Sequence, residues 1–194
     1  MDDERLIEQE AKDHGDILQA NFVDSYDNLT IKSIAAMRYV AGVCSEVKAI
    51  FKVDDDVAWN VLETSLLVNY AAANNSIHCP LYVSRREFPG DLYPPYCCGF
   101  AYLIPLQALH TILNATKTER LLHIEDVFIT GHLAKKTGVK QVSVMDRASF
   151  YRLDYPWFPE AIFTLVPDTE AIDFFLITNR KWFLQRFSPG PINS

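Results

Sequence analysis

Residues 47–57 read VKAIFKVDDDV, so an apolar stretch runs directly into three consecutive aspartates. Apolar side chains occupy every second position from Val47 to Val53, which is the alternation of a β-strand with one buried side. Apolar residues recur at helical spacing before this strand, at 29–43, and after it, at 57–70. A short apolar run at 17–22 predicts an earlier strand. The order strand, helix, strand, acidic turn, helix predicts an α/β fold.

Shorter elements follow the same patterns along the rest of the chain. Further helices are predicted at 4–13, 106–114 and 127–137, and further strands at 97–104, 139–144 and 161–166. Asn28 is available to cap the helix at 29–43, and Gly138 stands where the helix at 127–137 should end. The prolines and glycine within 74–95 predict loops there.

Composition limits the possible classes of function. The chain has 194 residues, 49% of them hydrophobic, which fits one domain with a sizeable core. Its 18 basic and 25 acidic residues give a net charge of −7, and no basic stripe is visible, so nucleic acid is not an expected partner. Residues 1–12 are charged and lack the apolar core of a signal peptide or membrane span. These residues therefore carry no targeting segment.

The four cysteines permit one or two disulfides without requiring any. They do not have the spacing of a metal site, and the adjacent Cys97 and Cys98 are poor candidates for bonding to each other. Sequons begin at Asn28, Asn74 and Asn114 and would accept glycans in the secretory pathway. The cysteines and sequons are thus compatible with an extracellular or luminal setting.

The acidic turn suggests a cation. Three adjacent carboxylates in a partly desolvated cleft repel one another, and a divalent ion would offset that cost. On an extended chain Asp54 and Asp56 project to the same side, so together they could bind a metal and diphosphate oxygens. The alternative is structural: Asp56 caps a helix that begins at Val57, and its neighbours are solvated. The residue types leave both interpretations open.

A second acidic pair, Glu125 and Asp126, precedes the helix predicted from Val127. Either acid would interact favourably with that helix N-terminus, which is the simpler interpretation. An acid beside a bound sugar nucleotide could instead act as a general base. His123 and His132 are the nearest histidines and are reserve candidates, because neither belongs to a pair with metal-ligand spacing.

Five blocks, taken in order, carry a family resemblance. They are DIL at 16–18, FVDSYDNLTIK at 22–32, KVDDDV at 52–57, YPPYCCGFAY at 93–102, and EDV at 125–127 with Gly131. In this order they resemble the beta-1,3-galactosyltransferases and beta-1,3-N-acetylglucosaminyltransferases of glycosyltransferase family 31. The resemblance covers about residues 15–139. Five blocks in one order are more specific than any single block.

The resemblance implies a GT-A fold, which is a Rossmann-like α/β domain that uses Mn²⁺ and a UDP-sugar. Residues 1–194 would form a single partial GT-A domain, incomplete at the N-terminus. The family's cytosolic tail, membrane anchor, stem, first strand and first helix would precede it. The implied reaction transfers galactose or an N-acetylhexosamine, with inversion, to a hydroxyl of a glycan acceptor in the Golgi lumen. The rival hypothesis is a non-catalytic glycan-binding or scaffolding remnant of such an enzyme.

The resemblance also implies roles for individual residues. Asp54, Asp55 and Asp56 match the acidic motif that binds the nucleotide, with Asp56 and Asp54 as the metal ligands. Asp126 matches the acid that deprotonates the acceptor hydroxyl.

The remaining implied residues form a wall for the donor sugar and acceptor. Tyr96, Gly99 and Glu125 match this wall. No histidine follows His132 to serve as the downstream metal ligand of some relatives.

Overall fold

The computed structural model describes residues 3–15, 17–54, 57–85, 93–145, 148–150 and 163–165. Its helices are α1 (Asp3–His14), α2 (Leu29–Val43), α3 (Val61–Asn74), α4 (Leu106–Ala115) and α5 (Ala134–Thr137), with a 3₁₀ turn at Tyr26–Asn28 and a π-helix at Val127–Leu133. Its strands are β1 (Ala49–Val53), β2 (Val57–Trp59), β3 (Ser76–Cys79), β4 (Tyr82–Val83), β5 (Tyr96–Cys97), β6 (Ala101–Pro105), β7 (Lys140–Ser143), β8 (Ala148–Phe150) and β9 (Phe163–Leu165).

A four-stranded sheet in the order β1-β6-β3-β7 lies at the centre. Strand β6 is antiparallel to β1 and β3, whereas β3 and β7 are parallel. Smaller sheets have the orders β2-β9-β8 and β4-β5. Because Val53 pairs with Ala101, the C-terminal end of β1 lies beside the start of β6. Asp54, which follows β1, and the loop before β6 therefore lie at the same end of the sheet.

Helices cover both faces of this sheet. Tyr102 and Ile104 of β6 are buried with residues of α2, α4 and the π-helix, whereas Ala101 and Leu103 are buried with residues of α3. This division follows from the strand period of two, which sends alternate side chains to opposite faces. The predicted α/β class is confirmed as a mixed sheet between helical layers.

The positions of two helix ends agree with the sequence predictions, although at one of them the predicted capping contact is not made. Helix α2 begins directly after Asn28, as predicted. The Asn28 side chain does not cap it, because its amide donates to the carbonyl of Val23 at 2.8 Å. Helix α5 ends at Gly138, whose φ of 72° is the left-handed conformation that glycine adopts at little cost.

The predicted start of the helix at 57–70 is wrong. Val57 belongs to β2, and α3 begins at Val61. Asn60 precedes α3 and accepts a hydrogen bond from the amide of Glu63 at 3.3 Å, which is the geometry of an N-cap. The structural alternative for Asp56, a cap on a helix from Val57, is therefore also wrong.

Several strand predictions also need correction. Residues 17–22 are not a strand. The predicted strand at 97–104 is divided by a turn at Gly99 into β5 and β6, and the predicted loop at 74–95 contains β3 and β4. The strands predicted at 139–144 and 161–166 correspond to β7 and β9.

A disulfide joins Cys79 at the end of β3 to Cys97 in β5, with Cα atoms 5.7 Å apart, whereas Cys44 and Cys98 are free thiols.

Within the described ranges, none of the helices has the length and apolar character needed to traverse a bilayer.

Candidate functional site

The end of β1 is tied to the turn between β5 and β6. The amide of Asp54 donates to the carbonyl of Phe100 at 2.9 Å, which continues the β1–β6 ladder by one residue. The carboxylate of Asp54 is 44% exposed, so it can contact a ligand while its backbone stays fixed. Asp55 and Asp56 lie outside the described residues.

Lys52 occupies the position in β1 two residues before Asp54. Its ammonium group donates to the Asp54 carboxylate and also to the carbonyl of Gly99. Only 20% of the Lys52 side chain is exposed. A lysine of the sheet thus joins the first acid to the neighbouring turn.

Asp126 accepts two backbone hydrogen bonds. Its Oδ1 accepts from the amide of Val127 at 2.8 Å, and its Oδ2 accepts from the amide of Gly99 at 2.9 Å. Asp126 therefore interacts with the start of the π-helix, as the simpler interpretation expected, and it also contacts the turn that Lys52 holds. A Cβ atom at Gly99 would lie 3.3 Å from Asp126 Oδ2, so glycine allows this close approach.

Glu125 is buried behind Asp126, with a relative exposure of 4%. It accepts a hydrogen bond from the Tyr102 hydroxyl. Burial raises the pKa of Glu125, while the hydrogen bond from Tyr102 and the charge of Lys52 oppose that increase. Burial beside Glu125 also raises the pKa of Tyr102 well above its usual range, so this phenol stays protonated.

Two contacts hold the π-helix, and with it Asp126, in place. The buried Thr130 hydroxyl accepts from the amide of Cys97 at 2.9 Å, and the Gln141 side chain donates to the carbonyls of Pro95 and Thr130 at 3.0 and 2.6 Å. A Cβ atom at Gly131 would lie 3.0 Å from Cβ of Tyr96, so glycine permits close packing there. The family block around Tyr96 is thereby fixed against the helix.

A cleft of about 720 Å³ opens between these elements. The predicted residues Asp54, Gly99, Glu125 and Asp126 line it, together with the reserve candidate His123. Three residues predicted separately from the acidic turn are thus brought beside Asp54.

The other predicted residues lie around this cleft. Burial raises the pKa of Tyr96, and negative charge on Asp126 and Cys98 adds to the effect, so Tyr96 stands near the base candidate. His132 contacts Glu119 at 2.6 Å and stacks on Phe128, and it is not among the described residues that line the cleft.

The donor set of the cleft is compatible with a hard divalent cation, because carboxylate oxygens are the ligands such ions prefer. Among the described residues, no group of three or more His, Cys, Asp or Glu side chains is arranged to hold a metal ion. Asp54 is the one member of the acidic motif within those residues. Of the two predicted metal ligands, Asp54 lies among the described residues and Asp56 lies outside them.

The lining of the cleft also includes residues that were not predicted from the sequence, and two of them, Lys52 and Cys98, carry polar side chains beside the acids. The sequence does indicate the position of Lys52, because a residue two positions before Asp54 in a strand projects to the same side of the sheet as Asp54. Cys98 also lines the cleft, and burial and its acidic neighbours raise the pKa of its thiol. Nothing in its spacing distinguishes Cys98 from the disulfide-bonded Cys97.

Comparison with known proteins identifies relatives of this chain. The chain is 30% identical to beta-1,3-galactosyltransferase 1 of Mus musculus and of Homo sapiens over 152 residues, which are 70% of this chain and 46% of each relative. It is 28% identical to beta-1,3-galactosyltransferase 5 of Homo sapiens over 160 residues, which are 75% of this chain and 51% of the relative. The chain thus spans about half the length of the curated relatives it matches.

A sequence model of a protein family, described as Galactosyltransferase, matches residues 2–145. This match includes Asp54 and the second acidic pair at Glu125 and Asp126. It also covers the described part of the chain except β8 and β9. The chain belongs to the galactosyltransferase family.

Proposed function

We propose that the chain is the catalytic part of a hexosyltransferase. It transfers galactose or an N-acetylhexosamine from a UDP-sugar to a hydroxyl of a glycan, with inversion and in a metal-dependent reaction. One observation carries the proposal: Asp54 and Asp126, 72 positions apart in the sequence, line one cleft and are connected through Lys52 and Gly99. Family membership supplies the class of reaction.

Asp126 is the proposed general base. Each of its oxygens accepts one backbone hydrogen bond, and a carboxylate has about four acceptor sites, so lone pairs remain for a substrate hydroxyl. The acceptor oxygen bonds to the anomeric carbon as its proton passes to Asp126, while the bond to UDP breaks on the opposite face. Attack opposite the leaving group inverts the anomeric centre.

Asp56 and Asp54 are the proposed metal ligands, with Asp55 beside the nucleotide. A bound Mn²⁺ would supply electrostatic stabilisation of the departing diphosphate. Asp54 is well suited to this role, because its backbone is bonded to β6 and its carboxylate remains partly exposed to the cleft. The acidic net charge of −7 also makes a local cation useful for binding an anionic donor.

Tyr96, Gly99 and Glu125 form the proposed wall for the donor sugar and acceptor. Gly99 keeps Asp126 accessible by offering no side chain at a position 3.3 Å from Oδ2. Glu125 lies at the inner side of the cleft, held by Tyr102. An aromatic ring such as Tyr96 suits the apolar face of a sugar.

The proposal includes the setting of the enzyme. Residues 1–194 form a single, partial GT-A domain that works in the Golgi lumen, with a membrane anchor outside these residues. Its partners are the UDP-sugar and the glycan acceptor. The greater length of the relatives is consistent with further segments in the whole protein.

Titration calorimetry with UDP tests the metal and nucleotide roles. We expect UDP binding that requires Mn²⁺ and that weakens about tenfold or more in Asp54→Ala and Asp56→Ala, because loss of a coordinating carboxylate removes a metal ligand. Asp13→Ala is the matched control, since this exposed aspartate lies on α1 and its neighbour is Gln9.

Unchanged affinity in both cleft variants would refute the metal assignment. Absence of UDP binding by the wild-type chain, with glycan binding retained, would favour the non-catalytic alternative.

A further inference from the structure

We propose that Lys52 is a positioning residue for the transfer reaction, one that fixes Asp54 relative to Asp126 through Gly99. This inference rests on the function proposed above. It assigns a role to the one lysine or arginine among the described residues that line the cleft.

The geometry forms a continuous chain of contacts. Lys52 donates to Asp54 and to the carbonyl of Gly99, and the amide of Gly99 donates to Asp126 at 2.9 Å. Gly99 is therefore held on its carbonyl side by Lys52 and on its amide side by the base candidate. Releasing the carbonyl would remove one of these two contacts, and Gly99 has no side chain whose packing could replace it.

The charge balance of the cleft supports the same role. Asp54, Glu125 and Asp126 are three acids that line one cleft with Lys52. Like charges that share a cleft repel one another unless a cation lies among them. The Lys52 ammonium lies 6.0 Å from the Tyr102 ring centre, and its charge opposes the rise in pKa that burial causes in Glu125. The cleft thus contains a fixed positive charge within the protein itself.

An ordinary surface ion pair would not have these properties. Such pairs contribute little, because both side chains are solvated and must be ordered. Lys52 instead has a side chain that is 80% buried by area, and it donates to a main-chain carbonyl in addition to a carboxylate. Its second contact connects it to the loop that carries the substrate wall.

Lys52→Met tests the role, because methionine keeps an unbranched chain but removes the charge and the donors. We expect kcat to fall about 10- to 100-fold, as small displacements of reacting groups produce losses of this size, while KM for UDP-galactose changes less than about threefold. The assay uses UDP-galactose with a panel of simple hexose and N-acetylhexosamine glycosides. Lys52→Arg should recover part of the lost kcat.

Lys48→Met is the matched control. Lys48 lies one residue before β1, is exposed, and donates to Asn69 at 2.8 Å outside the cleft. It should have the wild-type kcat.

A second measurement does not depend on catalysis. Amide hydrogen exchange, followed by NMR, should show the Gly99 amide exchanging about tenfold faster in Lys52→Met, because local opening near Gly99 becomes easier. The thermal midpoint should change little. If Lys52→Met does not fold, Lys52→Gln is judged by the same two measurements.

The outcomes separate this inference from the proposed function. Wild-type kcat together with wild-type exchange at Gly99 in the Lys52 variant would overturn the positioning role. If the wild-type chain transfers no sugar, the proposed function fails, and the exchange rate of Gly99 alone decides whether Lys52 holds the turn.

Discussion

Among the described residues, Glu125 is buried on one face of the central sheet and His78 on the other, and the surroundings of these two titratable side chains differ. Glu125 lies against Tyr102 on the face covered by α2, α4 and the π-helix. His78 of β3 pairs across the sheet with Leu103, the neighbour of Tyr102 that points to the α3 face. The two buried groups thus lie next to adjacent residues of β6 but on opposite sides of the sheet.

Three groups around Glu125 favour its charged form, whereas the negative charge of Asp126 opposes it. The Tyr102 hydroxyl donates to it, Ser33 forms a further hydrogen bond, and Lys52 adds positive charge. Burial still raises its pKa. The carboxylate is therefore kept buried at an electrostatic cost, next to the cleft.

His78 has fewer partners that could support a charge. Its Nε2 contacts the Ser76 hydroxyl at 3.0 Å, and the ring packs edge-on against Tyr70. Its Nδ1 is buried and has no hydrogen-bond partner within the described residues. Burial lowers the pKa of His78, which keeps it neutral. One face thus accommodates charge beside the cleft, and the other buries a neutral ring.

The largest expected effect tests whether the face of the sheet that buries Glu125 is the catalytic one. Asp126→Asn should lower kcat about 10²- to 10⁴-fold, since an amide cannot accept the proton of the acceptor hydroxyl. UDP affinity should stay near that of the wild type, because Asp126 is not a proposed metal ligand. Steady-state kinetics with UDP-galactose and calorimetry with UDP provide the two measurements. A wild-type rate of transfer in this variant would exclude the base assignment.

The next effect concerns the bond between the two regions. The Cys79–Cys97 disulfide joins β3, which carries His78, to β5 beside the cleft, and it closes a loop with a sequence separation of 18. A loop of this size contributes about 3 kcal/mol to the free energy of unfolding. Replacing both cysteines by alanine should lower the urea midpoint correspondingly. Cys44→Ala removes a free thiol and is the control; equal midpoints for the two variants would show that the bridge adds no stability.

The comparison also shows which features the sequence could predict. The strand at 49–53 and helix α2 were predicted because their apolar periods are regular over five or more residues. Strand β3 was missed because it is short and reads Ser-Ile-His-Cys, so two of its four buried side chains look like loop residues. Tertiary burial on both faces, which no local pattern carries, makes it a central strand.

In the candidate site, as in the fold, some features could be predicted from the sequence and others could not. Asp54, Gly99, Glu125 and Asp126 were predicted from the family blocks, and the structure brings them to one cleft. The bridging contact of Lys52 could not be predicted, because it depends on how closely the turn at Gly99 approaches β1. That distance is set by the β1–β6 register, which joins residues about 50 positions apart.

A smaller effect on the stability of the protein is expected at Glu125, on the face of the sheet beside the cleft. The native state keeps a proton on Glu125 at higher pH than the unfolded chain does, so stability is full below the ordinary pKa of 4.5 and falls as pH rises through the raised value. Glu125→Gln should remove this decline and raise the thermal midpoint at pH 7, because glutamine can still accept from Tyr102. Each kcal/mol regained corresponds to roughly 2–4 °C in this size range. Glu63→Gln, on α3, is the control, and equal midpoints at pH 7 for wild type and Glu125→Gln would contradict the buried-charge cost.

The smallest expected effect concerns His78, on the α3 face of the sheet, where stability is lost as the pH falls. The unfolded chain binds a proton at His78 more readily than the native state does, so stability is full above the ordinary pKa of 6.5 and is lost as pH falls through the lowered value. His78→Gln should flatten this acid limb, which is the loss of stability as pH falls below the ordinary pKa of 6.5, in thermal unfolding. His110→Gln, at an exposed position on α4, is the control and should leave the limb unchanged. If His78→Gln and His110→Gln show the same dependence of stability on pH, His78 does not cause the loss of stability at low pH. The contrast between the two faces of the sheet would then rest on the charge of Glu125 alone.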